Sequence, residues 1–218
     1  MCSAFFTGIN GDAMKWCYCL LLALVALNAQ AGIVWNESIN GDFSSNGLAP
    51  SAVNVAVGTN TILGATGNPG SGVDRDYFKI TVPNGSVLSA VNLLSSTTIS
   101  GGASFMGIQP GPQLTVTPSG GGVENLIAIG HYSLDQIGTN ILPDMIIGTN
   151  NGTLPSGTYS VWVQELGGPV SYGFDFVITP VAAESLADAP IPSWTYAVLT
   201  LILIGVMAHQ GRRRLSSI

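Results

Sequence analysis

The chain has 218 residues, only 8% of them charged, with a formal net charge of −6. That length allows one ordinary domain plus targeting segments. The mixture is too hydrophobic for a disordered chain, and 28 glycines and 12 prolines argue against a helical bundle. Between Gly32 and Ala189 eleven acids face only Arg75 and Lys79, a net charge of −9, which repels nucleic acid and anionic lipid.

In chain order, residues 1–31 read as a signal peptide whose natural start is Met14. Met14-Lys15-Trp16 opens a charged region, Cys19 to Leu27 forms a short apolar run, and Ala29-Gln30-Ala31 supplies the small-x-small cleavage pattern, with cleavage expected before Gly32. The apolar run is too short for a permanent spanning helix. All three cysteines, Cys2, Cys17 and Cys19, precede residue 20. A mature domain starting at Gly32 therefore has no disulfide, thiol nucleophile or cysteine-based zinc site. A lipidated cysteine would follow the apolar run, whereas Cys17 precedes it and Cys19 opens it.

Residues 32–180 read as one all-β domain. Phe78, Ile80 and Val82 alternate with Tyr77, Lys79 and Thr81, and Pro83-Asn84-Gly85 then turns the chain toward Leu88–Leu94 at hairpin distance. Tyr159, Val161 and Val163 alternate with Ser160, Trp162 and Gln164, and Tyr172, Phe174, Phe176 and Ile178 share one face of the last strand. Hairpin strands with one apolar face must stack on a second sheet. The expected fold is a single antiparallel β-sandwich, jelly-roll-like, flanked by the signal peptide and one C-terminal transmembrane helix. Gly-Thr-Asn at 58–60, 138–140 and 148–150 reads as a recurrent loop solution, and Ser100 to Gly122 as the long loop or irregular edge. Asn36-Glu37-Ser38, Asn84-Gly85-Ser86 and Asn151-Gly152-Thr153 fit the glycosylation pattern but are read as turn residues.

Residues 181–193 form an acidic, proline-containing linker. Pro190-Ile191-Pro192-Ser193-Trp194 then leads into an apolar helix over 194–210 and a basic tail over 211–218 carrying Arg212, Arg213 and Arg214. Trp194 and Tyr196 suit an outer interface and the arginines a cytoplasmic one. This tail resembles the sorting signals of PEP-CTERM proteins, the substrates of exosortases, with Ile191 standing where that family usually has Glu. The resemblance implies an exosortase-like processing enzyme cutting near Pro190 to Pro192, and an association with extracellular polysaccharide. Failing cleavage, the same helix tethers the protein in the membrane.

Asp74-Arg75-Asp76-Tyr77-Phe78-Lys79-Ile80-Thr81-Val82-Pro83-Asn84-Gly85 resembles the hallmark strand of bacterial pre-peptidase C-terminal (PPC) domains. Leu154-Pro155-Ser156-Gly157-Thr158-Tyr159 resembles a later strand of the same domains, and the likeness, which includes Asn40-Gly41-Asp42, spans most of residues 36–178. It implies an accessory module for binding, secretion or stability, without catalytic residues. The insert from about Ser100 to Asn150 is longer than that pattern.

Calcium takes several hard oxygen ligands, and Asp74 and Asp76, with Asn40 or Asp42, offer such a set. Arg75 and Lys79 are rival partners for the same carboxylates. No other cofactor is expected. His131 stands without a second histidine or cysteine nearby and reads as a polar residue at a strand end. The chain holds no Gly-x-Ser-x-Gly turn, so no catalytic residue is assigned. Trp162 lies opposite Tyr159, Val161 and Val163. Exposed, it would stack on a sugar or a partner surface; the alternative is that a second layer or the long insert covers it. The leading expectation is a non-enzymatic envelope or matrix protein. Its rivals are a secreted hydrolase using Glu124, Asp135 or Asp144 and a purely structural spacer.

Overall fold

The computed structural model describes residues 32–101, 104–147 and 152–181, all in the first of two units into which the chain divides after Val181. The expected signal peptide with Ala29 and Ala31, and the sorting tail with Pro190, Ile191, Pro192, Trp194, Arg212, Arg213 and Arg214, lie outside the described residues. Among the described residues no helix is long and apolar enough to cross a membrane.

Nine strands form two sheets: β1 (Gly32–Asn36), β2 (Ser51–Ala52), β3 (Gly58–Thr66), β4 (Arg75–Val82), β5 (Ser86–Leu93), β6 (Ser104–Pro110), β7 (Ala128–Tyr132), β8 (Gly157–Gln164) and β9 (Val170–Pro180). One sheet runs β1-β3-β9-β5 and the other β2-β4-β8-β6-β7. Among the described residues two short α-helices, α1 (Glu37–Asn40) and α2 (Leu142–Met145), accompany the strands, with two 3-10 turns. The domain is all-β, as its alternation predicts.

The sheets are mixed rather than purely antiparallel. β1 runs parallel to β3 and β2 parallel to β4, while every other pairing is antiparallel. The hairpin expected at Pro83–Gly85 is also corrected. β5 leaves β4 and pairs with β9 in the opposite sheet, so that turn is a corner between sheets. A tight turn reverses a chain equally well within a sheet or across the core, and local residues do not distinguish the two. β8 and β9 are divided between the sheets in the same way.

Period-2 alternation places one face of each central strand in the core. Phe78, Ile80 and Val82 from β4 meet Tyr172, Phe174, Phe176 and Ile178 from β9, all of them buried. Phe78 packs edge-on against Phe176 at 5.9 Å, joining the two sheets. Each such ring removes a large apolar area from water, worth about 2–3 kcal/mol.

Two expected loops are strands. Gly58-Thr59-Asn60 opens β3, where buried Asn60 donates from Nδ2 to the carbonyls of Ala56, Gly58 and Phe176. Within Ser100–Gly122, Ser104–Pro110 is the buried strand β6, paired with both β7 and β8. From Gly111 onward the chain leaves the sheet. It folds back so that Leu114, Val116 and Leu126 cover Tyr77 and Trp162 on the outer face of β4 and β8.

Candidate metal centre

The residues flanking α1 build the site. Trp35 is the penultimate residue of β1 and Phe43 follows α1; the Phe43 ring is in the core and the Trp35 ring packs against it. Trp35 stacks on Phe43 at 4.7 Å, and Phe43 on Phe78 at 4.8 Å. Between these two anchors the chain makes one helical turn, capped by the Asn36 side chain, which accepts from the Ser38 N–H. Gly41 then adopts φ 86°, a left-handed value that glycine reaches without strain. With both ends of the loop held by aromatic stacking, Glu37 and Asp42 are carried to one edge of the core. There they meet Asp76, the inward-facing residue at the start of β4.

Oxygens of Glu37, Asp42 and Asp76 all lie within 4.8 Å of one another. Glu37 is fixed from both sides, its Oε1 accepting from the Phe43 N–H at 3.1 Å and its Oε2 from the Ala65 N–H at 2.6 Å. Asp76 is completely buried. Its Oδ2 accepts from the Tyr172 hydroxyl at 2.8 Å, a bond from one sheet to the other. Its Oδ1 is buried with no hydrogen-bond partner.

Three carboxylates at such range disfavour their own ionisation. Burial, then the charge of Glu37, pushes the Asp76 carboxyl up to about 9 despite the Tyr172 hydrogen bond. Burial raises Glu37 to about 7, opposed by its two backbone donors and reinforced by Asp42 and Asp74. Asp74 is raised as well, first by burial and then by Asp42.

The donor set fits a hard divalent cation. Calcium binds carboxylate oxygens at about 2.3–2.6 Å, so ligands around one ion lie within roughly 5 Å of each other. A buried carboxylate oxygen without a partner requires a proton or a cation. Glu37, Asp42 and Asp76 would hold the ion here. Of the expected quartet, Asp42 and Asp76 thus come together with Glu37, while Asp74 falls outside the carboxylate group. The Asn40 side chain is turned back to accept from the Asn36 N–H at 2.8 Å. Asp74 is bound through its backbone, to Gly67 and to the Thr66 hydroxyl. Glu37 escapes sequence reasoning because Asn36-Glu37-Ser38 reads as a turn. Its available signal is position, five residues before Asp42 and flanked by Trp35 and Phe43.

Of the two readings of Trp162, exposed or covered by the long insert, the structure shows the second. Trp162 is buried among Tyr77, Phe105, Leu114, Val116 and Leu126, because the chain after β6 covers it, and it offers no binding surface. His131 is an exposed residue of edge strand β7. Glu124, Asp135 and Asp144 stand exposed on three separate short turns of helix. No protein-family model matches the chain, and no curated protein matches it.

Proposed function

We propose that this is an exported protein, anchored in the membrane or released at the surface, whose non-enzymatic β-domain serves binding or adhesion in the envelope or the extracellular polysaccharide matrix. The observation that carries the reading is a buried carboxyl, Asp76, that has one oxygen without a hydrogen-bond partner and lies within 4.8 Å of oxygens of Glu37 and Asp42. Calcium modules working outside the cell bind at about 10⁻⁴–10⁻³ M. A loop site with three carboxylates, one of them exposed, suits that range. In this proposal the cation staples the loop after β1 to β4, between the sheets, and so stiffens a cysteine-free domain. The PPC-like and jelly-roll assignment belongs to the same reading, supported by the β4 segment Asp74–Gly85. So does the exosortase-type tail, supported by Pro190 to Arg214.

Mass spectrometry of the protein from its native envelope tests the itinerary. A chain beginning at Gly32 and ending near Pro192 supports sorting, and an intact Arg214 supports a simple tether. A chain retaining residues 14–31 removes export altogether. Calcium titration of the melting temperature tests the site, and an unmoved melt at saturating calcium removes it. The burial of Trp162 favours a second reading, a structural spacer without a ligand, in which the cation site serves stability alone.

A further inference from the structure

Strand register places a second, unrelated set of side chains in line. Arg75 on β4 pairs with Gln164 on β8, Gln164 with Phe105 on β6, and Phe105 with His131 on β7. All four project from the outer face of the larger sheet, one row along from the Tyr77–Trp162 pair. The chain after β6 covers the Tyr77–Trp162 row and stops short of this one. Arg75, Phe105 and Gln164 remain half-buried and His131 exposed. A cavity of about 370 Å³ opens over the Phe105–Gln164–His131 part of the row, walled by Glu165, Leu166 and Gly167. That volume lies at the small end of the roughly 300–1,000 Å³ typical of ligand pockets.

Each lining group is oriented. The Phe105 ring leans across Gly107, where a Cβ would come within 3.3 Å of it, and is braced edge-on by Trp162 at 4.7 Å. His131 also packs against the Phe105 ring edge-to-face at 5.8 Å. Arg75 Nε donates to Gln164 Oε1 at 2.8 Å, which occupies the amide's acceptor and leaves its Nε2 hydrogens to a guest. Buried Glu165 accepts from the Ser104 hydroxyl and the Gly167 N–H, both at 2.9 Å. A carboxylate retains further acceptor positions beyond two such bonds.

We propose that this cavity is a saccharide subsite taking one neutral pyranose unit, with a C–H face of the sugar on Phe105 and hydroxyls at Gln164 Nε2, His131 and Glu165. A braced aromatic ring beside both donors and acceptors matches a ring with an apolar face and a hydroxylated rim. Glu165 and the domain's acidity disfavour an anion. A purely aromatic guest would leave the Gln164 donors unpaired, which costs affinity. The inference rests on the binding reading above and supplies its ligand class.

The test is ¹H–¹⁵N NMR on the full-length chain in polyoxyethylene micelles, which contain neither sugar nor quaternary ammonium. Methyl pyranosides of glucose, galactose, mannose and N-acetylglucosamine are titrated into the millimolar range. At least one is expected to give saturable shifts at Phe105, His131 and the Gln164 side-chain amide. Phe105→Leu keeps apolar bulk over Gly107 without the flat ring and is expected to weaken binding at least several-fold, as is His131→Ala at its exposed site. Absence of saturable shifts with every pyranoside overturns the proposal. So do shifts that centre elsewhere, shifts unchanged in His131→Ala, or a response of these residues to tetramethylammonium alone. If Phe105→Leu fails to fold, the wild-type shifts and His131→Ala decide. A failed titration leaves the calcium melt and the mature termini unaffected, so it removes this ligand and not the export reading.

Discussion

Asp76 and Glu165 are both acids buried near the ends of neighbouring strands, and they are held in opposite ways. Glu165 has a donor for each oxygen, from Ser104 and Gly167. Asp76 has one donor, Tyr172, and an Oδ1 with no hydrogen-bond partner, in a carboxyl that lies within 4.8 Å of oxygens of Glu37 and Asp42. The first arrangement gives each oxygen of a buried acid a neutral donor and needs no cation. The second is closed only by a positive partner or a proton. Burial alone therefore does not mark an ion site; an oxygen without a donor in a carboxyl beside other carboxylates does.

The sharpest way to break this contrast is pH in the absence of divalent ions, where the largest effect is expected. Asp76 and Glu37 have folded values above their ordinary ones, so the folded state keeps protons that the unfolded chain releases. Stability is full below about pH 4 and is lost as pH rises through about 7 and then about 9. Asp76 dominates, with a loss of several kcal/mol. Thermal melts in chelator from pH 4 to 9 should fall steadily, and Asp76→Asn should remove the upper part of the fall. A flat profile in the wild type denies the carboxylate cluster.

Calcium comes next. At pH 8 and about one hundred times its dissociation constant, an ion binding only the folded state adds about 2.7 kcal/mol. Differential scanning calorimetry should show a rise of several degrees that Glu37→Gln and Asp76→Asn each abolish. Glu165→Ala should cost about 1–3 kcal/mol by stranding the Ser104 and Gly167 donors. Its calcium response should survive intact, as read by urea melts with and without the ion; a lost response would merge the two acids into one system. Smallest, Asn40→Ala removes the acceptor for the Asn36 N–H and should cost about 0.5–1 kcal/mol. Its unchanged calcium midpoint would show that Asn40 is not a ligand.

The same pair shows how far the residues alone carry the structure. Alternation places Phe78, Ile80 and Val82, and likewise Phe174 and Phe176, in the core, because side-chain period follows directly from strand geometry. It does not say which strand lies alongside, and β5 accordingly joins β9 rather than β4. β6 escapes because Gly107 and Pro110 interrupt its pattern, although Gly107 is there to admit the Phe105 ring. Asp42 and Asp76 are legible as candidate ligands from their spacing to glycines and neighbouring acids. Glu37 is not, since it reaches the site through the stacking of Trp35 and Phe43, a tertiary event. Trp162 stays open in the sequence between exposure and cover by the long insert, because its cover arrives from residues about 40 positions earlier.

The place of β9 in its sheet has a mechanical meaning. It is the last strand among the described residues, Val170–Pro180, yet it lies inside the sheet, paired with β3 over Val170–Ile178 on one side and with β5 over Phe174–Pro180 on the other. Tension applied at its C-terminal end runs along the strand and loads both ladders in shear, across hydrogen bonds that stand perpendicular to the pull. An edge strand pulled sideways would instead open one bond at a time. A domain gripped by this strand resists drag as a unit.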